Sequence, residues 1–152
     1  MKKQFAIIVT CMLFLTLSLS GCEQLFVKQD KVNVNVMIAI FINSVDENNN
    51  PVNISLNGAE VKINVSKSGK NNLSFERLIQ NNLCQVTCTY TLTQGESIEC
   101  LATVLNGFNN YYPVNVGNAT LTWETAQAHM ELSGLYNWFP HITIIMKQGS
   151  AK

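Results

Sequence analysis

The chain predicts an all-β protein, a single β-sandwich of about seven to nine strands occupying residues 32–152. Three observations predict it. Apolar residues recur at every second position through most of the chain, the period of a half-buried strand. Clusters such as Asn48-Asn49-Asn50 and Asn71-Asn72 interrupt these runs, and Asn suits turns because it tolerates left-handed backbone and bonds its own main chain. The runs themselves are short and regularly spaced.

The elements follow in order. Val32, Val34, Val36, Ile38, Ile40 and Ile42 form an unbroken even-numbered apolar face. The odd face begins polar, with Asn33 and Asn35, and turns apolar at Met37, Ala39 and Phe41. This predicts a long strand, half-covered at first and buried on both faces later. A loop follows over residues 46–51. Asn57-Gly58 then predicts a two-residue type I′ hairpin, which would pair Leu56 with Ala59, Ile54 with Val61 and Val52 with Ile63. Residues 73–79 suit either a strand or one helical turn. From Cys84 the alternation is clean: Cys84, Val86, Cys88, Tyr90 and Leu92 face inward, and the intervening Gln and Thr residues outward. After Gln94-Gly95-Glu96 the inward set resumes with Ile98, Cys100, Ala102 and Val104, which predicts a second hairpin. Residues 111–116, 120–125 and 141–147 are further strand candidates. Residues 126–132 read as a short helix capped by Thr125 or as a continuing strand.

The first 21 residues stand apart. Lys2 and Lys3 precede an apolar stretch over residues 5–19, the pattern of a cleaved export signal. The stretch has 15 residues, short of the ~20 that cross a bilayer core. It ends in Leu19-Ser20-Gly21-Cys22, which resembles the lipobox of bacterial and archaeal lipoproteins. That resemblance implies a diacylglycerol on Cys22, which would become the mature N-terminus, and a membrane anchor needing no second signal. It divides the chain into a signal peptide (1–21), a lipid-anchored segment (22–31) and the sandwich (32–152). It places the domain outside the cytoplasm on a cell membrane or outer membrane. Glu23, where an Asp would resemble an inner-membrane retention signal, leans toward the outer membrane in a two-membrane cell. Separately, Asn50-Pro51-Val52, Gly58-Ala59-Glu60-Val61, Tyr90-Thr91-Leu92 and Gly95-Glu96 give residues 32–105 a turn-and-strand pattern that resembles the immunoglobulin-like or prealbumin-like modules of prokaryotic cell surfaces. The Cys…Trp…Cys spacing of true immunoglobulin domains is missing.

Composition narrows the function classes. Without residues 1–21 the chain has 131 residues, 8 basic and 10 acidic, a net of 8 − 10 = −2. No basic patch is present, so a nucleic-acid partner is not expected. Four N-x-[S/T] sequons start at Asn53, Asn64, Asn72 and Asn118, little more than so Asn-rich a composition would produce. Cys84 and Cys88 are too far apart on one strand to bond, since four strand residues span roughly 13 Å. Two states fit the remaining thiols: a Cys88–Cys100 disulfide after a small register change, or three reduced core cysteines. C-x₃-C on an extended strand does not converge its sulfurs, so no metal site is expected. Neither a cofactor motif nor a catalytic one is present.

Aromatic residues mark the remaining candidates. Tyr136-Asn137-Trp138-Phe139-Pro140 is the densest cluster, and Tyr111-Tyr112 comes second. Tyr111, Tyr112, Tyr136, Trp138 and Phe139 would either form a binding surface or plug one end of the core. The expectation is a membrane-anchored, non-enzymatic binding module whose partner is a protein or an envelope component. The alternatives are a structural subunit joined through a sheet edge and an exported enzyme with an unrecognised site. A contiguous aromatic patch, an unprotected edge strand and a pocket with convergent titratable groups would respectively distinguish them.

Overall fold

The computed structural model describes residues 30–149. The expected export signal, Cys22 and the apolar Leu25-Phe26-Val27 lie outside the described residues. The order is β1 (Lys31–Val45), β2 (Pro51–Val52), β3 (Glu60–Lys67), β4 (Lys70–Leu78), β5 (Leu83–Thr93), β6 (Ser97–Val104), β7 (Tyr111–Pro113), β8 (Gly117–Thr122), α1 (Trp123–His129), β9 (Leu135–Trp138) and β10 (His141–Gln148). These strands form an all-β sandwich. The first sheet holds β1, β2, β5, β7, β9 and β10, and the second has the order β4-β3-β6-β8. The ten strands slightly exceed the expected number because β2, β7 and β9 are only two, three and four residues long.

β1 is the spine of the first sheet. Along one side it pairs antiparallel with β5 and then β2. Along the other it pairs parallel with β9 and then β10. Its even-numbered face, Val32 to Ile42, is buried throughout, as the alternation predicts. It meets Val61, Ile63, Val65, Ile98, Cys100, Ala102 and Leu121 in one core with the second sheet. Fully burying each Val or Ile contributes about 1.5–3 kcal/mol, so this face is a large share of the driving force. The odd face is a correction. Met37 and Ala39 are half-buried and Phe41 is 40% exposed, so no layer covers the apolar half of β1 on its outer side among the described residues.

Both expected hairpins are corrected as well. Residues 56–59 do turn, with the Ala59 N–H donating to the Leu56 carbonyl at 3.0 Å. Only Gly58 has a positive φ there (93°), the signature of a type II turn and not of type I′. The strands it joins lie in different sheets: β2 pairs with β1, and β3 with β4 and β6. The 93–96 turn likewise carries the chain from β5 in the first sheet to β6 in the second. A pattern of inward apolar residues is the same whether the next strand is a lateral neighbour or lies across the core. The two-residue hairpin is at Ser68-Gly69, where both φ values are positive (47° and 69°), joining β3 to β4. Residues 73–79 resolve as strand through Leu78, with Phe75 half-buried and Ile79 buried. The short helix begins earlier than expected. Its cap is Thr122, whose Oγ1 accepts the Thr125 N–H at 3.3 Å.

Asn side chains organise the inter-sheet connections. The Asn82 amide accepts the Leu56 N–H at 2.9 Å and donates to the Ile54 carbonyl at 3.0 Å, so it satisfies a segment with no strand partner. Asp46 closes the 46–50 loop by accepting the N–H groups of Asn48 and Asn50, both at 2.8 Å. The Asn50 side-chain amide, donating to Asp46 Oδ2 at 2.9 Å, and then these N–H groups hold its carboxyl below the usual range.

The Gly58 turn gives a test. A Cβ there would touch the Phe108 ring at 3.6 Å while the backbone stays at φ +93°. Gly58→Val is expected to cost about 1–2 kcal/mol, most of it left-handed backbone strain, read as a lower urea midpoint with an unchanged slope.

Candidate functional site

The strongest site candidate is the outer face of the second sheet. Register fixes its composition. Asn64 on β3 lies opposite Ser74 on β4 and Leu101 on β6, and Leu101 lies opposite Asn118 on β8. One step along, Ser66 lies opposite Glu99, and Glu99 opposite Thr120. With Asn72 and Lys62 these residues wall an open hollow of about 710 Å³. Leu101 stands in its centre, 45% exposed.

The three Asn, two Ser and the Thr are the useful groups. Among the described residues none of their side chains makes a hydrogen bond within the protein. Each amide can donate and accept, and each hydroxyl can do both. None ionises near neutral pH, so they can hold a ligand without transferring protons. The wall carries one cation, Lys62, and one anion, Glu99, and Lys62 also reaches Glu76 at 3.9 Å. The site is therefore polar and close to neutral, with one apolar platform.

A signal for this face was present in the sequence. In a strand, N-x-[S/T] puts the amide and the hydroxyl on the same side, because alternate side chains share a face. Three of the four sequons, at Asn64, Asn72 and Asn118, fall on outward positions of β3, β4 and β8 of the second sheet. Asn53 lies apart, just after β2. Linear reading showed the motif but not the register that gathers its copies.

The aromatic candidates do not gather. Tyr111 is buried, and Tyr136 and Trp138 are half-buried against the core. Tyr112 is 54% exposed beside Lys147 near the end of β10, while Phe139 is 58% exposed just before that strand begins. Eight residues separate positions 139 and 147, roughly 26 Å of strand. His129 stacks on Tyr136 with ring centres 6.2 Å apart, and His141 meets Phe41 edge-on at 5.5 Å.

The thiols lie in the interior. Cys84, Cys88 and Cys100 are free. Because β5 and β6 are in opposite sheets, Cys88 and Cys100 approach across the core and not along a shared ladder. A bond between them would therefore link the two sheets. Tyr90 marks the same crossing, its hydroxyl donating to the Val65 carbonyl at 2.9 Å, and Val65 pairs with Cys100. Burial pushes all three thiols up, Cys100 to about 12 with the neighbouring Cys88 adding to it, so they stay protonated at neutral pH. Among the described residues no group of His, Cys, Asp or Glu is arranged to hold a metal, and no helix is long and apolar enough to cross a membrane. Set against protein-family models, curated proteins and solved structures, the chain matches none.

Among the described residues, the one strong ion pair joins the sheets at the Lys31 end of β1. Lys67 Nζ lies 3.0 Å from Glu96 Oε1 and donates to the Thr91 carbonyl at 3.2 Å. Glu96 Oε2 accepts the Thr93 N–H at 2.8 Å. The Thr93 N–H and then Lys67 hold the Glu96 carboxyl below its ordinary 4.5. A carboxyl depressed on folding contributes stability above its unfolded value, and this is lost as pH falls through the folded value. Glu96→Gln is expected to cost about 1 kcal/mol near pH 7. The gap from wild type should shrink as pH falls below about 4.5 in a series of urea melts.

Proposed function

We propose that the chain is an exported lipoprotein held to a membrane through lipid on Cys22, and that its sandwich is a non-enzymatic binding module. The outer face of the second sheet is its binding surface. The ligand is a neutral, hydroxyl-rich envelope polysaccharide. The observation that carries the reading is the hollow of about 710 Å³ around Leu101, walled by amides and hydroxyls that have no hydrogen-bond partner among the described residues. Paired donors and acceptors on an amide match vicinal hydroxyl groups, and an exposed Leu offers a surface to the C–H face of a sugar ring. The near-neutral wall favours an uncharged chain over a phosphate-bearing one. Two facing sheets also support an immunoglobulin-like or prealbumin-like module of the cell surface.

Two measurements test this. Wild type is expected to fractionate with membranes and resist high salt, and Cys22→Ser to be released. The full chain is also expected to co-sediment with neutral polysaccharide isolated from the host envelope. Asn64→Ala with Asn118→Ala should weaken that binding about tenfold or more, at ~1 kcal/mol for each lost hydrogen bond, without lowering the melting temperature. Binding unchanged by the double substitution refutes the surface assignment. So does a native mass showing glycans on Asn64, Asn72 or Asn118, since the protein's own sugars would then fill the hollow.

A further inference from the structure

We propose that β5 is a pairing edge for a second copy of this chain, joined antiparallel about a two-fold axis at Thr87. The inference rests on neither the anchor nor the polysaccharide reading. β5 forms one margin of the first sheet, its only ladder among the described residues being with β1. Hydrogen bonds at its two ends fix which residues point outward. The Leu83 N–H and carbonyl both pair with Gln80, and Glu96 binds both the N–H and the carbonyl of Thr93. Asn82, of the other parity, accepts from β1 through the Ile42 N–H at 3.1 Å. Antiparallel partners alternate between bonding toward and away from a given neighbour. Odd-numbered residues of β5 therefore turn their N–H and carbonyl away from β1. Those of Gln85, Thr87 and Thr89 have no partner among the described residues. The Thr91 carbonyl is taken by Lys67.

The other margins carry the usual protection against such pairing. β4 bears Lys70, Glu76 and Arg77, and its ladder with β3 shifts register between Val65 and Lys67. β7, β8 and β9 are three, six and four residues long, and β7 ends in Pro113. Short length, charge, bulges and proline are how sheets blunt their edges. β5 is 11 residues long and lacks charge, Pro and Gly. The Lys67–Glu96 pair guards only its last three residues.

The free groups select the occupant. A two-fold axis at Thr87 opposes Thr87 to its copy and Gln85 to Thr89. That register satisfies the N–H and the carbonyl of Gln85, Thr87 and Thr89 in each chain and disturbs no capped group; the Thr91 N–H faces Leu83, whose groups Gln80 holds. A shift by one residue brings in a group already held by Lys67 or Gln80. On the outer face the cross-strand pairs are Thr with Thr and Gln with Thr, which are compatible and uncharged. On the inner face Val86 meets Cys88. Leu73, 41% exposed on the adjoining β4, lies on the side of the sandwich that the second copy covers.

A photo-crosslinking amino acid at position 87 of the full-length chain tests this. Irradiation is expected to give an adduct of twice the monomer mass, with the same label at position 118 giving none. The detergent-extracted wild type should be dimeric by light scattering. Thr87→Lys, which would set two like charges opposite each other, should lower the dimer fraction at least about tenfold. Thr87→Pro removes an outward N–H and should do the same, with a melting temperature no lower than that of Thr87→Lys, while Thr143→Lys on the same sheet's outer face leaves the dimer intact. A monomeric wild type, an adduct to a protein of another mass, or dimerisation unaffected by both Thr87 variants overturns the proposal.

Discussion

Every other element depends on the even-numbered face of β1. Six β-branched residues, Val32 to Ile42, stand in one row and are buried along its whole length. A strand of 15 residues is long enough to take two partners in succession on each side, so β5 with β2 and β9 with β10 align on one template. The second sheet has no covalent reason to face the first. It does so because Val61, Ile63, Val65, Ile98 and Leu121 need the surface that β1 presents. Shifting β1 by one residue would turn this row to solvent and expose the core of both sheets.

Crossing between sheets creates a second constraint. Each crossing leaves main-chain groups without a ladder partner, and their burial would be costly. The chain meets this with short polar side chains. Asn82 holds the approach to the first crossing, and Asp46 closes the loop between β1 and β2. Lys67 and Glu96 hold the crossing from β5 to β6. Asn81 and Asn82 also take left-handed backbone, with φ of 52° and 57°, a conformation Asn adopts more readily than most residues. The abundance of Asn thus has a structural origin at the loops and a different one on the outer face of the second sheet.

The alternation made the strands legible. The inward sets of β1, β5 and β6 were all readable from period two. Connectivity was not, because Leu56, Ala59 and Val61 present the same pattern to a lateral neighbour and to a facing sheet. Asn57-Gly58 marked a turn correctly, but the turn type depends on whether the flanking strands must pair, which is settled by tertiary structure. Ser68-Gly69 was the true hairpin and carried a weaker signal. The aromatic candidates failed for a related reason: local density of Tyr and Trp says nothing about which side of a sheet edge they occupy, and Tyr136 and Trp138 turn inward beside Val34 and Val36. The amide face was written in the sequons, but only register across four strands assembles it.

The proposed anchor and the proposed edge, taken together, constrain orientation. Eight residues, 23–30, separate Cys22 from β1 and reach at most roughly 26–29 Å. In the proposed pair the axis passes through Thr87, which lies beside Met37. Each Lys31 is then six residues from the axis, so the two Lys31 ends point in opposite directions about 40 Å apart. Two tethers of that reach cannot meet one bilayer if the strands stand upright on it. They can if the strands lie along it, with the two-fold axis normal to the membrane and both sheets parallel to its surface. One outer face must then turn toward the lipid. The first sheet offers exposed Phe41 and Ile145 and half-buried Met37 among Asn33, Gln85, Thr87, Thr89 and Thr143, and the second offers amides and hydroxyls around Leu101. Placing the first sheet toward the bilayer leaves the hollow around Leu101 directed outward. The unburied half of β1's odd face, which nothing inside the domain requires, then has a physical role.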